Sequence, residues 1–157
     1  TWIMKRKGDT SVMSVDDMAG KVVGTQLASG NEDASKAFEQ DMMARGLDGF
    51  GELKLFTSYP EVTLALANGT LDVAVQNLPN LAVIIQKQPD MFELVGPITD
   101  ISYFGWVTRP EDTDLRDYLS EQILKMRDSG KIDELQDKWF GFRMKIPDDG
   151  YLPEGAL

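Results

Sequence analysis

The sequence predicts an open α/β fold, a mainly parallel sheet flanked by helices and followed by C-terminal helices. Three observations carry that prediction. Apolar strand-like runs alternate with helical periodicities three times between Val22 and Val95. A short turn of small or polar residues separates each run from its helix, as parallel strands joined by crossover helices require. Beyond Thr108 two helical patterns follow each other with no strand between them, so the last part of the chain packs by different rules.

Taken in order, Ser14-Val15-Asp16-Asp17 has the form of a capping box, and Gly20 closes the short helix it would open. A strand over 22–27 comes next. After the turn Ala28-Ser29-Gly30-Asn31, residues Ala34, Phe38 and Met42 fall on one face of a helix over 32–45 that stops at Gly46. The unit repeats with a strand over 53–57, a second capping box in Ser58-Tyr59-Pro60-Glu61, and a helix through Val62, Ala65 and Leu66 ending at Asn68-Gly69. Pro60 fits the first turn, where its missing N–H leaves no bond unmade. A third unit has a strand over 72–76, the turn Asn77-Leu78-Pro79, a helix around Leu81, Ile84 and Ile85, and a strand over 92–95.

The segment 101–108 reads as an extended, aromatic strand in which Tyr103, Phe104 and Trp106 are expected to pack in a core. A helix from Thr113 should turn Leu115, Leu119, Ile123 and Met126 inward and end at Gly130. The next carries Ile132, Leu135 and Trp139 and ends at Gly141. Pro147, Gly150, Pro153 and Gly155 predict an irregular tail over 146–157. The acidic residues Asp133, Glu134 and Asp137 fall on the polar side of the last helix and are read as solvated.

Composition narrows the chemistry. The 157 residues are 42% hydrophobic and 27% charged, enough for a core. Acidic residues number 26 against 16 basic, and the resulting charge of −10 repels phosphate backbones, so no nucleic-acid partner is expected. Without cysteine or histidine the chain has no disulfides, thiolate nucleophiles, Ser-His-Asp triads or ordinary zinc sites. No catalytic residue, metal ligand or cofactor site is therefore assigned. No stretch reaches the roughly 20 apolar residues of a membrane span. The opening TWIMKRKGD lacks the apolar run of a signal peptide, so the sequence is read as mature or as missing its front.

In an open α/β sheet, ligands gather beyond the carboxyl ends of the strands, where helix N-termini present unpaired N–H groups that favour anions. Three loops belong to that edge: 28–31, 57–59 and 77–79. In the first, small residues admit a close backbone approach and Ser29 adds a hydroxyl, although Ser29 is equally well read as a helix cap. Asn77 offers both a donor and an acceptor to a ligand, or serves as a turn residue before Leu78-Pro79.

Four motifs in order, 14–24 (SVDDMAGKVVG), 58–61 (SYPE), 66–75 (LANGTLDVAV) and 138–141 (KWFG), resemble the second lobe of family 3 extracellular solute-binding proteins. These periplasmic, polar amino-acid-binding components of ABC importers have a two-lobed type II periplasmic-binding ("Venus flytrap") fold. The resemblance implies a crossover strand over 1–10, the second ligand-binding lobe over 11–100, a returning hinge strand over 101–109, and C-terminal helices and tail over 110–157 that complete a first lobe mostly absent from this sequence. It implies a small polar, carboxylate-bearing ligand whose carboxylate is held by Gln26, Ser29, Gly30 and Asn31, with Asn77 where the family places an ammonium-binding aspartate; Ser58 joins these ligand-binding candidates from its place on the 57–59 edge loop. It also implies a membrane permease as partner, a periplasmic location with signal peptide and first lobe outside this sequence, and association between chains where the first lobe is missing. Two departures bear on the ligand: family members that bind ordinary α-amino acids have glycine at Ala28 and a second hydroxyl residue at Gly30. A neutral Asn77 pairs less well with an ammonium than a carboxylate does. The chain is read as a binding protein and not an enzyme; the alternatives are a cyclohexadienyl-dehydratase-like enzyme and a sensory domain of the same architecture.

Overall fold

A computed structural model describes residues 1–146. The tail expected to be irregular lies, apart from Ile146, outside the described residues. The chain divides into two units, residues 1–100 and the part from Ile101 onward.

The first unit is a five-stranded sheet: β1 (Trp2–Arg6), β2 (Val22–Gln26), β3 (Glu52–Phe56), β4 (Val73–Gln76) and β5 (Phe92–Pro97). Their order is β3-β2-β4-β1-β5. β2 pairs in parallel with both β3 and β4, while β1 runs antiparallel between β4 and β5. Four strands therefore point one way and β1 alone opposes them, which is the mainly parallel sheet the sequence predicts. Residues 1–10, set apart as a crossover in the sequence reading, place β1 in an inner position of this sheet.

Both faces of the sheet are covered, which explains why its strands read as continuous apolar runs. On one face Ile3, Val23, Val73 and Val75 pack with Met18 of a short 3-10 turn (Val15–Met18) and Met42 of α1 (Gly30–Ala44). On the other, Met4 and Ala74 pack with Val62 and Leu66 of α2 (Tyr59–Ala67) and Leu81 of α3 (Leu78–Lys87). The alternation within β1 and β4 is the two-residue period of a strand. The charged end of β1 is handled by specific partners: buried Lys5 donates to the carbonyls of Asp9 (2.7 Å) and Val12 (2.8 Å) and pairs with Glu93 at 3.2 Å. Arg6 donates to the Leu66 carbonyl at 3.1 Å and to that of Leu71, joining β1 to the end of α2.

The first predicted capping box forms. The Asp17 carboxylate accepts the N–H groups of Met13 (2.9 Å) and Ser14 (2.7 Å), and these bonds hold its pKa below the ordinary aspartate value. The second does not form as written. Glu61 accepts from the N–H (3.2 Å) and hydroxyl (2.8 Å) of Thr57, one residue earlier than expected, and the Ser58 side chain makes no cap bond.

From Ile101 onward, residues 101–109 adopt no regular element, and α4 (Thr113–Asp128) and α5 (Lys131–Phe140) follow. The expected strand is absent because a ladder needs a neighbouring strand to take its N–H and C=O groups, and among the described residues none pairs with this segment. The expected aromatic packing is likewise overturned: Phe104 is 74% and Trp106 71% exposed. In α4 no residue is buried, and in α5 only Gln136 is. Leu119, Ile123 and Leu135 are only partly covered and Trp139 is exposed, so among the described residues the inward face read from their spacing is covered only in part, by the contact of α4 with α5.

Candidate functional site

Because β2, β3 and β4 are parallel, Gln26, Phe56 and Gln76 end at the same edge of the first unit. The residues that follow start three helices there: Ser29 caps α1, Ser58 precedes α2 and Asn77 precedes α3. Sequence position alone brings these three side chains to one rim, as predicted.

Their local roles differ. The Ser29 hydroxyl donates to the Gln26 carbonyl at 2.7 Å and accepts the Glu32 N–H at 3.3 Å, so the capping reading is the one seen. Gly30 and Asn31, the first residues of α1, present backbone N–H groups with no acceptor among the described residues, as first-turn positions do. The Asn31 side chain is buried and committed: it accepts from the Thr1 hydroxyl at 2.9 Å and donates to the Tyr59 hydroxyl. The Gln26 side chain donates through Nε2 to the Thr57 carbonyl at 3.1 Å, leaving its side-chain oxygen Oε1 open among the described residues. Ser58 and Asn77 are partly exposed and their side chains bond to nothing else among the described residues. Asn77 caps α3 only through its backbone carbonyl, which accepts from Asn80 and Leu81 at 3.1 and 3.2 Å. Its amide is thus free to act as donor and acceptor at once.

Three residues matter that sequence reasoning did not select. Tyr59 and Thr57 anchor Asn31 and Gln26; their places on either side of Ser58 in the 57–59 loop were the available signal. Glu32 accepts the Ala28 N–H at 2.7 Å and pairs with Lys36 at 2.5 Å, and these bonds, that to Lys36 first, lower its pKa. This fixed carboxylate holds the 28–31 turn, in which Ala28 takes the left-handed backbone conformation at φ 54°.

None of the six predicted residues carries an ionisable side chain, so they can orient and hold a polar group; the carboxylates beside them, Glu32 and Glu61, are bonded to the rim turns at Ala28 and Thr57. Among the described residues no cluster of three His, Cys, Asp or Glu side chains is placed to hold a metal, and no helix is long and apolar enough to cross a membrane.

No protein-family model matches the chain. It is 24% identical to PatH of Vibrio harveyi, provisionally described as an amino-acid ABC transporter-binding protein, over 88% of this chain and 53% of PatH. An ancestral arginine-binding protein solved with arginine superposes with a TM-score of 0.68 at 26% identity, over 89% of this chain and 59% of that one. The chain is a relative of the amino-acid solute-binding proteins of ABC importers. Its fold is that of a type II periplasmic-binding lobe. Glutamate receptor 1.1 of Arabidopsis thaliana shares 27% identity over 57% of the chain and 11% of the receptor. The chain spans about half the length of PatH.

Proposed function

We propose that this chain supplies one gripping lobe of a substrate-binding protein that delivers a small polar, carboxylate-bearing solute to a membrane permease. The observation that carries this reading is the convergence of three helix N-termini on the carboxyl edge of three parallel strands. The free N–H groups at 30 and 31, aligned with the α1 dipole, favour the solute's carboxylate. The Ser58 hydroxyl and Asn77 amide flank it and take its remaining polar groups. Gln26, Ser29 and Asn31 hold the rim's shape, and Gln26 contributes its open side-chain oxygen.

The first lobe, largely outside this sequence, would close over the solute, and α4 and α5 would complete it. Closure excludes water and creates the differential contacts that a permease reads. The setting would be periplasmic. The same geometry serves a sensory ligand-binding lobe, a reading favoured by the similarity to a plant glutamate receptor. A dehydratase-like activity draws less support, because the carboxylates at the rim, Glu32 and Glu61, are engaged by Ala28, Lys36 and Thr57.

Ligand choice turns on Asn77. A carboxylate there would demand a cationic partner, whereas the amide accepts neutral or charged groups at lower gain. Calorimetry of the two-lobed protein and its Asn77→Asp variant, against arginine, glutamine and their desamino analogues, tests this. The variant should shift preference toward the amine-bearing compounds by about tenfold or more. Unchanged relative affinities would reduce Asn77 to a turn residue, and absence of any binding would sink the solute-binding reading itself.

A further inference from the structure

Between α2 and α3 lies an open groove of about 630 Å³, floored by Gln76 at the end of β4 and walled by Thr63, Leu64 and Ala67 on one side and Val83 and Ile84 on the other. We propose that this groove is a second binding site, for a neutral apolar molecule that carries an amide group. Three observations lead there. First, its volume falls in the range of small-molecule sites, roughly 300–1,000 Å³, and apolar side chains form most of its walls. Leu64 and Met91 on its lining remain 65% and 45% exposed, which leaves apolar surface uncovered.

Second, Gln76 is only 4% exposed, yet its carboxamide has no hydrogen-bond partner among the described residues. Among the described residues no side-chain polar atom is wholly sealed and unpaired, so the amide keeps some contact with solvent, and Gln76 is one of the residues that line the groove. Alternation along β4 agrees: Val75 joins the core on the α1 face and Ala74 the core on the α2–α3 face, which puts Gln76 on the α2–α3 face. A carboxamide offers one acceptor and two N–H donors, and another amide is a neutral group whose planar donor and acceptor match both functions side by side. Third, the lining contains no charged residue, although 27% of the chain is charged. An ion entering would lose its hydration without gaining a counter-charge. That property separates this site from the anion-favouring rim.

The test is a methyl-detected NMR titration of the full chain with N-acetyl-leucinamide, with zwitterionic leucine at equal concentration as the comparison. Saturable shifts are expected at the methyls of Leu64, Val83, Ile84 and Met91 with the amide alone. Gln76→Leu, which replaces an unpaired polar group with an apolar one of similar size and should fold, ought to weaken binding about tenfold. Ala67→Trp, filling the groove from the α2 wall, should abolish it while leaving the fold's amide spectrum intact. The proposal is overturned if these methyls do not respond, if Gln76→Leu binds as well as the parent, or if leucine produces the same shifts.

Discussion

Ala28 is the one non-glycine residue with positive φ among those described, at 54°. A Cβ in the left-handed region costs about 1–2 kcal/mol, offset in part because glycine would gain more freedom in the unfolded chain. Ala28→Gly should therefore raise stability by about 0.5–1 kcal/mol, read as a higher urea midpoint; an unchanged or lower midpoint would mean that the methyl makes a contact of comparable value. The next turn holds a pH-sensitive element. Glu32 bonds to Lys36 and the Ala28 N–H, which lower its pKa in the folded state, so it releases its proton more readily there than in the unfolded chain. Its contribution to stability is present above the unfolded value, about 4.3, and disappears as pH falls through the lower folded value. Lys36 has the opposite sense: its pKa is raised by the same pair, and its share is lost only as pH rises beyond the ordinary lysine range. Glu32→Gln should flatten the fall in urea midpoint on acidification below about pH 5 while leaving the shape near neutrality unchanged. A parallel fall in both proteins would show that other carboxylates, such as Asp17 with its two backbone bonds, govern the acid limb.

Element boundaries are where close backbone approaches decide what a position tolerates. Gly51 leads into β3 and donates its N–H to the Lys21 carbonyl at 2.9 Å; a Cβ there would lie 2.4 Å from the Gly20 carbonyl oxygen. Backbone cannot yield as a side-chain tip does, so Gly51→Ala should destabilise by about 1–3 kcal/mol, whereas at Gly30 an added Cβ meets nothing within 4 Å and alanine should stay within about 0.5 kcal/mol of the parent. Equal effects at the two positions in thermal melts would count against the β2–β3 entry as a tight contact. The strand-turn-helix units were legible because each combines an apolar run, a turn of small or polar residues and a helical period. So was the rim of Ser29, Ser58 and Asn77, since parallel strands place their carboxyl ends together. β1 was harder to place in the sheet, because WIMKR ends in two cations whose burial depends on the distant carbonyls of Asp9, Val12, Leu66 and Leu71. The roles of Tyr59 and Thr57 depend on contacts 28 and 31 residues away in sequence. The segment 101–109 shows the converse: aromatic and β-branched content favours a strand, but propensity without a partner makes none.

At the scale of the molecule, apolar packing is unevenly distributed. Both hydrophobic clusters are built from residues of the first unit, from Ile3 to Ile98. Among the described residues of the second unit, α4 and α5 contain no buried apolar residue, and Leu115, Tyr118 and Trp139 are exposed. Short helices draw most of their stability from a packed apolar face, and uncovered faces of this kind invite association with another chain or domain. The two units should consequently differ in cooperativity. Residues 1–100 produced alone should fold, with a dispersed amide spectrum and a urea midpoint equal within error to that of the same residues in the full chain. Amides of α4 and α5 in the full chain should exchange with solvent well before those of β2 and β4, since local opening there exposes little surface that is not already exposed. Hydrogen exchange read residue by residue, with urea melts of both lengths, distinguishes the cases. A fragment 1–100 that stays unfolded, or exchange rates in α4 and α5 matching those of the sheet, would mean that the later residues supply packing the first unit cannot do without. The expected result would place the fold's stability in the double-sided sheet and leave the apolar faces of α4 and α5 for a packing partner.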